Sequence, residues 1–246
     1  MFDHVTIGAS DRDASRAFYR TVLTTLGHEP HREGADAVEW GDFSIAQAGP
    51  ERAVTTRLHI GFAARSEADV HAFWRAGVDA GYRSDGAPGF RPEYGPEYFG
   101  AFLLDPDGNS AEAMLDDDLR EEPGTCIDHL WWRVADREAS RRFYATIAPH
   151  AGFEEVADLP DRTRYSRGPH RGSFSVVDGD EPTSPFHLAF SVGGHAAVEA
   201  FHRAAVDAGY PDNGGPGERP EYHAGYFGAF VLDPAGHNVE AVDHGR

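Results

Sequence analysis

The chain repeats itself, and that constrains its fold more than any other feature of its sequence. Residues 57–115 align without a gap to 185–243, and 31 of those 59 positions are identical. The segment "YFGAFLLDPDGNSAEAM" at 98–114 returns as "YFGAFVLDPAGHNVEAV" at 226–242. Upstream, "DHVTIGASDRDASRAFYRTVLTTLG" at 3–27 matches "DHLWWRVADREASRRFYATIAPHAG" at 128–152, now at an offset of 125 residues rather than 128. The change in offset falls in the variable region between the two matches. A repeat of this length is a structural unit used twice. It divides the 246 residues into a first domain at 1–116, a linker at 117–125 and a second domain at 126–246. The linker is too charged and too poor in apolar residues to be core.

Each copy reads as two smaller units of similar order. Val5 and Ile7 alternate as in a strand, and Ala14, Phe18, Val22 and Leu26 recur at helical spacing. That predicts a helix over about 11–26, with Asp11 or Asp13 capping its start and Gly27 ending it. Weaker extended segments follow at 37–48. "LHIGF" begins a strand at 58–62, a helix follows over 66–80, and two strands at 98–104 and 110–115 flank the Asp105-Pro106-Asp107-Gly108 turn. The order strand–helix–strands thus occurs four times, which makes the chain α+β. The Gly- and Pro-rich stretches 84–97 and 212–225 read as ordered loops beside the most repeated segment, where loops line sites.

Composition narrows the class of function. Asp and Glu total 41 against 22 Lys and Arg, a formal net charge of −19. Such a surface repels phosphate backbones and anionic lipid, so neither nucleic acid nor a membrane is an expected partner. Cys126 is the one cysteine, so no internal disulfide forms and a thiolate metal cluster is excluded. No stretch approaches the ~20 apolar residues needed to span a bilayer, and "MFDHVTIG" runs directly into strand-like sequence without a signal-peptide pattern. A cytoplasmic protein is the expectation.

Three polar residues recur where strands should be buried: His4, His59 and Glu112 in the first copy, and His129, His187 and Glu240 in the second. A carboxylate inside a strand core costs several kcal/mol unless it is paired or bound to a cation. Two imidazoles and a carboxylate form the facial set that holds a divalent ion while leaving positions open for substrate or water. The competing arrangement pairs the glutamate with an arginine such as Arg133 or Arg164. "DPDG" lacks the alternating acids of a calcium loop and reads as a tight turn.

"DHVTIGASDRDASRAFY", "LHIGF" and "YFGAFLLDPDGNSAEAM", with their second-copy counterparts, resemble the vicinal oxygen chelate superfamily. That superfamily contains glyoxalase I, extradiol dioxygenases, fosfomycin-modifying enzymes and bleomycin-binding proteins. The resemblance spans nearly all the chain, excepting the linker and the region 153–184. It implies four β-α-β-β-β units forming two open, mixed-sheet barrels, each around a metal. It implies ligands at His129, His187 and Glu240 in copy two and at His4, His59 and Glu112 in copy one, with the C-terminal set the working one. The implied cofactor is a divalent ion, Fe(II) or Mn(II) ahead of Zn(II) or Ni(II).

The copies differ around this expected site. His223 stands where copy one has Gly95, and a loop histidine beside an open metal position is suited to proton transfer. Trp131 and Trp132 must face opposite sides of their strand, so one reaches the barrel interior and the other packs on a helix. With Tyr222, Tyr226 and Phe230, they are the expected substrate-binding residues. Phe230 and Phe102 occupy a position where the extradiol signature places tyrosine, which weighs against ring cleavage. The expected function is a metal-dependent enzyme on a small oxygenated compound, aromatic or otherwise apolar in part: a lyase, isomerase or oxygenase. The alternative is a non-catalytic small-molecule or antibiotic-binding resistance protein. The expected partner is a small molecule, and the chain a monomer or homodimer.

Overall fold

The computed structural model describes residues 1–34, 36–116, 125–168 and 172–245. The first repeat runs β1 (His4–Ala9), α1 (Arg12–Leu23), β2 (Arg32–Glu33), β3 (Ala37–Trp40), β4 (Phe43–Gln47), β5 (His59–Ala64), α2 (Glu67–Asp79), β6 (Arg83–Phe90), β7 (Phe99–Leu104) and β8 (Ser110–Leu115). The second runs β9 (Ile127–Val134), α3 (Arg137–Ala151), β10 (Glu154–Asp158), β11 (Arg162–Ser166), β12 (Ser173–Asp178), β13 (His187–Ser191), α4 (His195–Asp207), β14 (Asp212–Glu218), β15 (Phe227–Leu232) and β16 (Asn238–Asp243). The α+β class and the fourfold strand–helix–strands order are as expected.

The helices start and stop for local reasons. The Asp11 side chain accepts from the amides of Asp13 and Ala14 at the head of α1, Ser66 accepts from Asp69 at α2, and Asp136 accepts from Ala139 at α3. Each cap satisfies amides that the first turn leaves without a helical partner. A single 3-10 turn, Thr24–Leu26, extends α1 and ends at Gly27, whose φ of 85° lies in the left-handed region. Among the described residues, no helix is long and apolar enough to cross a membrane.

The strands form two open, mixed eight-stranded sheets, in the orders β14-β15-β16-β13-β1-β4-β3-β2 and β10-β11-β12-β9-β5-β8-β7-β6. The Gly- and Pro-rich stretches expected as loops depart from expectation, since their first parts form β6 and β14. Both are edge strands, where Pro88 and Pro216 forfeit no obligatory ladder bond, and their pairing shifts register around Gly86 and Gly214. The expected linker lies, except for Thr125, outside the described residues.

By compactness the chain divides into one unit of Met1–Val5 with Trp132–Arg246 and another of Thr6–Trp131. These units do not follow the repeat boundaries. The opening residues of β1 group with the second repeat, and those of β9 with the first. In the Thr6–Trp131 unit, Tyr19, Trp40, Phe43 and Phe62 fill the core. Buried Tyr19 donates to Asp105 Oδ2 at 2.9 Å, while Asp105 Oδ1 accepts from the amides of Asp107 and Asn109. The other unit repeats the device, with Tyr144 donating to Asp233 at 3.0 Å beneath a core of Trp132, Tyr165, Phe174 and Phe190. The repeated Asp-Pro turn is thus pinned to the repeated helix.

Candidate functional site

In the unit of Met1–Val5 and Trp132–Arg246, β13 and β16 pair in parallel with Ala189 opposite Glu240, and β15 and β16 pair antiparallel with Phe230 opposite Glu240. The Asp3 amide donates to the Ala189 carbonyl at 2.9 Å, which brings His4 alongside. His4 Nε2 lies 2.9 Å from His187 Nε2 and 3.5 Å from Glu240 Oε2, and His187 Nε2 lies 3.0 Å from the same oxygen. In the Thr6–Trp131 unit, Gly61 of β5 is opposite Glu112 on one side and His129 on the other. His59 Nε2 is 3.0 Å from Glu112 Oε2 and 3.1 Å from His129 Nε2, and His129 Nε2 is 3.3 Å from Glu112 Oε2.

All six expected ligand positions therefore fall in two triads, but the grouping differs from the expectation of one triad per copy. His4 joins His187 and Glu240, and His129 joins His59 and Glu112. The physical reason is strand pairing: β9 is hydrogen-bonded beside β5, and the start of β1 beside β13. The first-strand histidine of each repeat is delivered to the later strands of the other.

The surroundings of the two triads match closely. Tyr226 donates to Glu240 Oε1 at 2.6 Å and Tyr98 to Glu112 Oε1 at 2.8 Å. Each glutamate is 1% exposed. His4 Nδ1 donates to Asp3 at 2.8 Å and His129 Nδ1 to Asp128 at 2.6 Å. These bonds fix each ring with Nε2 turned toward the triad, the arrangement in which a carboxylate orients a ligand histidine. Glycine makes the room: a Cβ on Gly100 would sit 2.5 Å from Glu112 Oε1, and one on Gly228 2.6 Å from Glu240 Oε1. This accounts for the repeated "YFGAF", in which tyrosine holds the carboxylate and glycine leaves space for it.

Electrostatics point the same way. Burial alone would raise the Glu112 carboxyl, yet hydrogen bonds from His129 and His59 bring it down to about 2. Burial opposes a charge on His129, but Asp128 and Glu112 outweigh it and raise this imidazole to about 10. His59 is pushed down, chiefly by burial and also by the neighbouring charge on His129, against the raising effect of Glu112. Of two imidazoles on one carboxylate, His129 thus takes the proton, and positive charge is what this cluster accommodates. Adjacent corners of an octahedron with bonds of about 2.1 Å are about 3.0 Å apart. Both sets of donor separations, 2.9 to 3.5 Å and 3.0 to 3.3 Å, fit that spacing. The arginine alternative does not hold, because Arg164 reaches Ser173 instead and the glutamate oxygens face Tyr and His groups.

The remaining expected residues separate. Trp131 lies with the His59–Glu112–His129 triad, its ring 5.7 Å from His59, 6.1 Å from His129 and 5.5 Å from Tyr94. Trp132 is buried against Tyr144, Phe174, Phe186 and His237, so it is a core residue with no surface to offer a substrate. Phe230 sits 6.1 Å from the His187 ring, with the Arg219 guanidinium 5.6 Å from its own centroid. Tyr226 spends its hydroxyl on Glu240, and exposed Tyr222 packs on the Tyr226 ring. His223 hydrogen-bonds the Ala224 carbonyl and His244. Cys126 is a buried thiol donating to Asp42 and to the Trp40 carbonyl, with burial raising its pKa. Sequence reasoning missed Asp3, Asp128 and His244. The signal for the two aspartates was present in the repeated "DH" pair.

Comparison with known proteins agrees with this architecture. Residues 1–113 and 126–241 match the family described as Glyoxalase/Bleomycin resistance protein/Dioxygenase superfamily. Glyoxalase I from Zea mays is similar in structure, at 18% identity and a TM-score of 0.69 over 99% of this chain and 92% of its own. A putative dioxygenase from Bacillus subtilis subsp. subtilis str. 168 matches at 13% identity and a TM-score of 0.67 over 98% of this chain and 84% of its own. At these identities the likeness is one of fold. The search of curated proteins finds no match. The family match covers both repeats, and the chain belongs to the Glyoxalase/Bleomycin resistance protein/Dioxygenase superfamily.

Proposed function

We propose that each triad holds a divalent cation, Fe(II) or Mn(II) ahead of Zn(II) or Ni(II), and that the protein is a metal-dependent enzyme acting on a small compound with adjacent oxygen atoms. The reaction classes are lyase, isomerase or oxygenase. The observation that carries the proposal is the convergence of two Nε2 atoms and one carboxylate oxygen from three strands, at mutual distances that suit neighbouring corners of one coordination sphere. A cation there would polarise substrate oxygens and stabilise an enediolate or alkoxide.

The chain's own residues have distinct parts in this reading. Tyr226 and Tyr98 hold one oxygen of each glutamate, leaving the other turned to the triad. Asp3 and Asp128 keep Nδ1 of His4 and His129 protonated, so each ring presents its Nε2 lone pair. Phe230 and Phe102 stand opposite the glutamates in register and supply apolar surface beside the open face. His223 is the proton-transfer residue of the His4–His187–Glu240 site.

A second reading is non-catalytic ligand binding, favoured at the His59–Glu112–His129 triad. There Trp131 and exposed Tyr94 offer aromatic surface, and Gly95 stands where the other copy has His223. Metal analysis of untagged protein, followed by turnover assays with catechols and α-hydroxycarbonyl compounds, tests the proposal. Two cations per chain, with turnover lost in His187→Ala, support it. Chain that takes up no cation from excess Fe(II), Mn(II), Zn(II) or Ni(II) overturns it, and tight binding of an unchanged ligand in chelator selects the second reading.

A further inference from the structure

A line of hydrogen bonds links loop residue His223 to His4. His223 Nδ1 is 2.9 Å from the Ala224 carbonyl, and His223 Nε2 is 2.8 Å from His244 Nδ1. His244 Nε2 is 2.8 Å from Asp3 Oδ2, and Asp3 Oδ1 is 2.8 Å from His4 Nδ1. The two imidazoles lie nearly parallel, 5.1 Å between centroids with 16° between planes. Tyr226 presents its ring to both, at 5.3 and 5.4 Å. The backbone brings them together, since a Cβ on Gly225 would sit 3.3 Å from the His244 carbonyl oxygen.

Counting hydrogens decides the state of this pair. A carbonyl oxygen only accepts, so His223 Nδ1 carries a hydrogen. The Asp3 carboxylate likewise accepts at Oδ2, so His244 Nε2 carries one too. Two neutral imidazoles hold two hydrogens in all, and both are then spent on the outer nitrogens. The inner nitrogens would face each other lone pair to lone pair at 2.8 Å, which is repulsive. A third hydrogen between them makes the contact a hydrogen bond and the pair a monocation, with Asp3 as its counter-charge.

We propose that His223 and His244 share this third proton as an imidazole–imidazolium pair. His244 and Asp3 are positioning residues that hold His223 in place and protonated near the His4–His187–Glu240 site. First-copy positions matching His223 and His244 in the repeat are Gly95 and Asp116, so the His59–Glu112–His129 site has no such pair. The two sites are alike in ligands and unlike in proton supply. The role of the pair rests on the cation reading given above, whereas its protonation does not.

The test is nitrogen-15 NMR on the metal-free full chain near neutral pH. The expected result is a through-hydrogen-bond coupling between His223 Nε2 and His244 Nδ1, with three ring N–H protons on the pair. His244→Gln loses the coupling and returns the His223 ring to free solvent exchange. Asp3→Asn, which keeps the shape and removes the counter-charge, loses the third proton. A folded wild-type chain with two ring protons on the pair and no coupling overturns the proposal, as does His244→Gln with His223 exchange unchanged. Titration with Fe(II), Mn(II), Zn(II) and Ni(II) in turn separates the two ideas. Coupling without uptake of any of the four removes the cation reading and leaves the pair, and uptake of two cations without coupling does the reverse. Thermal melting of each variant reports whether it is folded.

Discussion

Gly61→Ala probes the His59–Glu112–His129 triad at its tightest point. A methyl group on Gly61 overlaps the His129 ring and comes within 2.7 Å of its Nε2. Ordinary contact of carbon with ring atoms is at about 3.5 Å, and two ring atoms lie closer to that methyl than Nε2 does, so the ring must retreat by about 1 Å or more. Cation sites tolerate errors of about 0.2 Å in ligand position, several times less than this shift. His129 also cannot retreat without stretching its 2.6 Å bond to Asp128. The expected outcome is loss of this site, seen as a fall from two bound cations to one, or at least a ~10–100-fold weaker second site. Overpacking adds a destabilisation of about 1–3 kcal/mol. The matching residue in the other copy is Ala189, and the His4–His187–Glu240 triad forms beside it, so a Cβ is excluded at Gly61 by where the His129 ring lies and not by the architecture of the repeat. Metal stoichiometry by mass spectrometry and chemical denaturation of the metal-free chain are the assays. Two cations at unchanged affinity with unchanged stability would refute the reasoning, since the close approach would then constrain nothing.

Tyr226→Phe removes the donor to Glu240 Oε1 and leaves a buried carboxylate oxygen short of a partner. A loss of about 1.5–3 kcal/mol in the metal-free chain is expected by denaturant titration. Tyr144→Phe, which removes the donor to Asp233 Oδ2 and no donor to a triad residue, should cost about 1–3 kcal/mol and leave cation stoichiometry at the wild-type value. Cation affinity at the His59–Glu112–His129 site should rise with pH, because the proton on His129, held to about 10, must leave first. One proton released gives about tenfold per pH unit from neutrality upward, measured by competition titration in His187→Ala, and a flat profile contradicts it. The same raised value stabilises the metal-free fold fully below the ordinary histidine value of 6.5 and is lost as pH rises through about 10. His129→Gln should remove that alkaline slope. The Glu112 contribution has the opposite sign, present above its ordinary 4.5 and lost as pH falls toward about 2.

Local elements were legible in the sequence because their signals are local. The Asp11 cap, the Phe18 and Val22 stripe, the Gly27 stop and the Asp-Pro turn each concern residues within a few positions of one another. The residue types of the triads were legible because buried His and Glu in strand patterns are expensive and occurred twice. Their grouping was not, since which strand lies beside β1 is a matter of tertiary pairing, and copies with closely similar spacing offer equivalent partners. The strands β6 and β14 were hidden by their glycines and prolines, which an edge accepts and a central strand does not. His244 escaped because its role depends on the loop carrying His223 folding back against 243–245, a contact that no periodicity announces.

The crossed delivery of His4 and His129 sets a timetable for a chain made from its N-terminus. The three triad side chains at 59, 112 and 129 are all available once residue 129 has left the ribosome. His4 emerges first of the six, yet waits for residue 240 before its partners exist. Separation of this kind delays closure, so the His59–Glu112–His129 triad can assemble earlier in synthesis while the other is completed only once residue 240 is out.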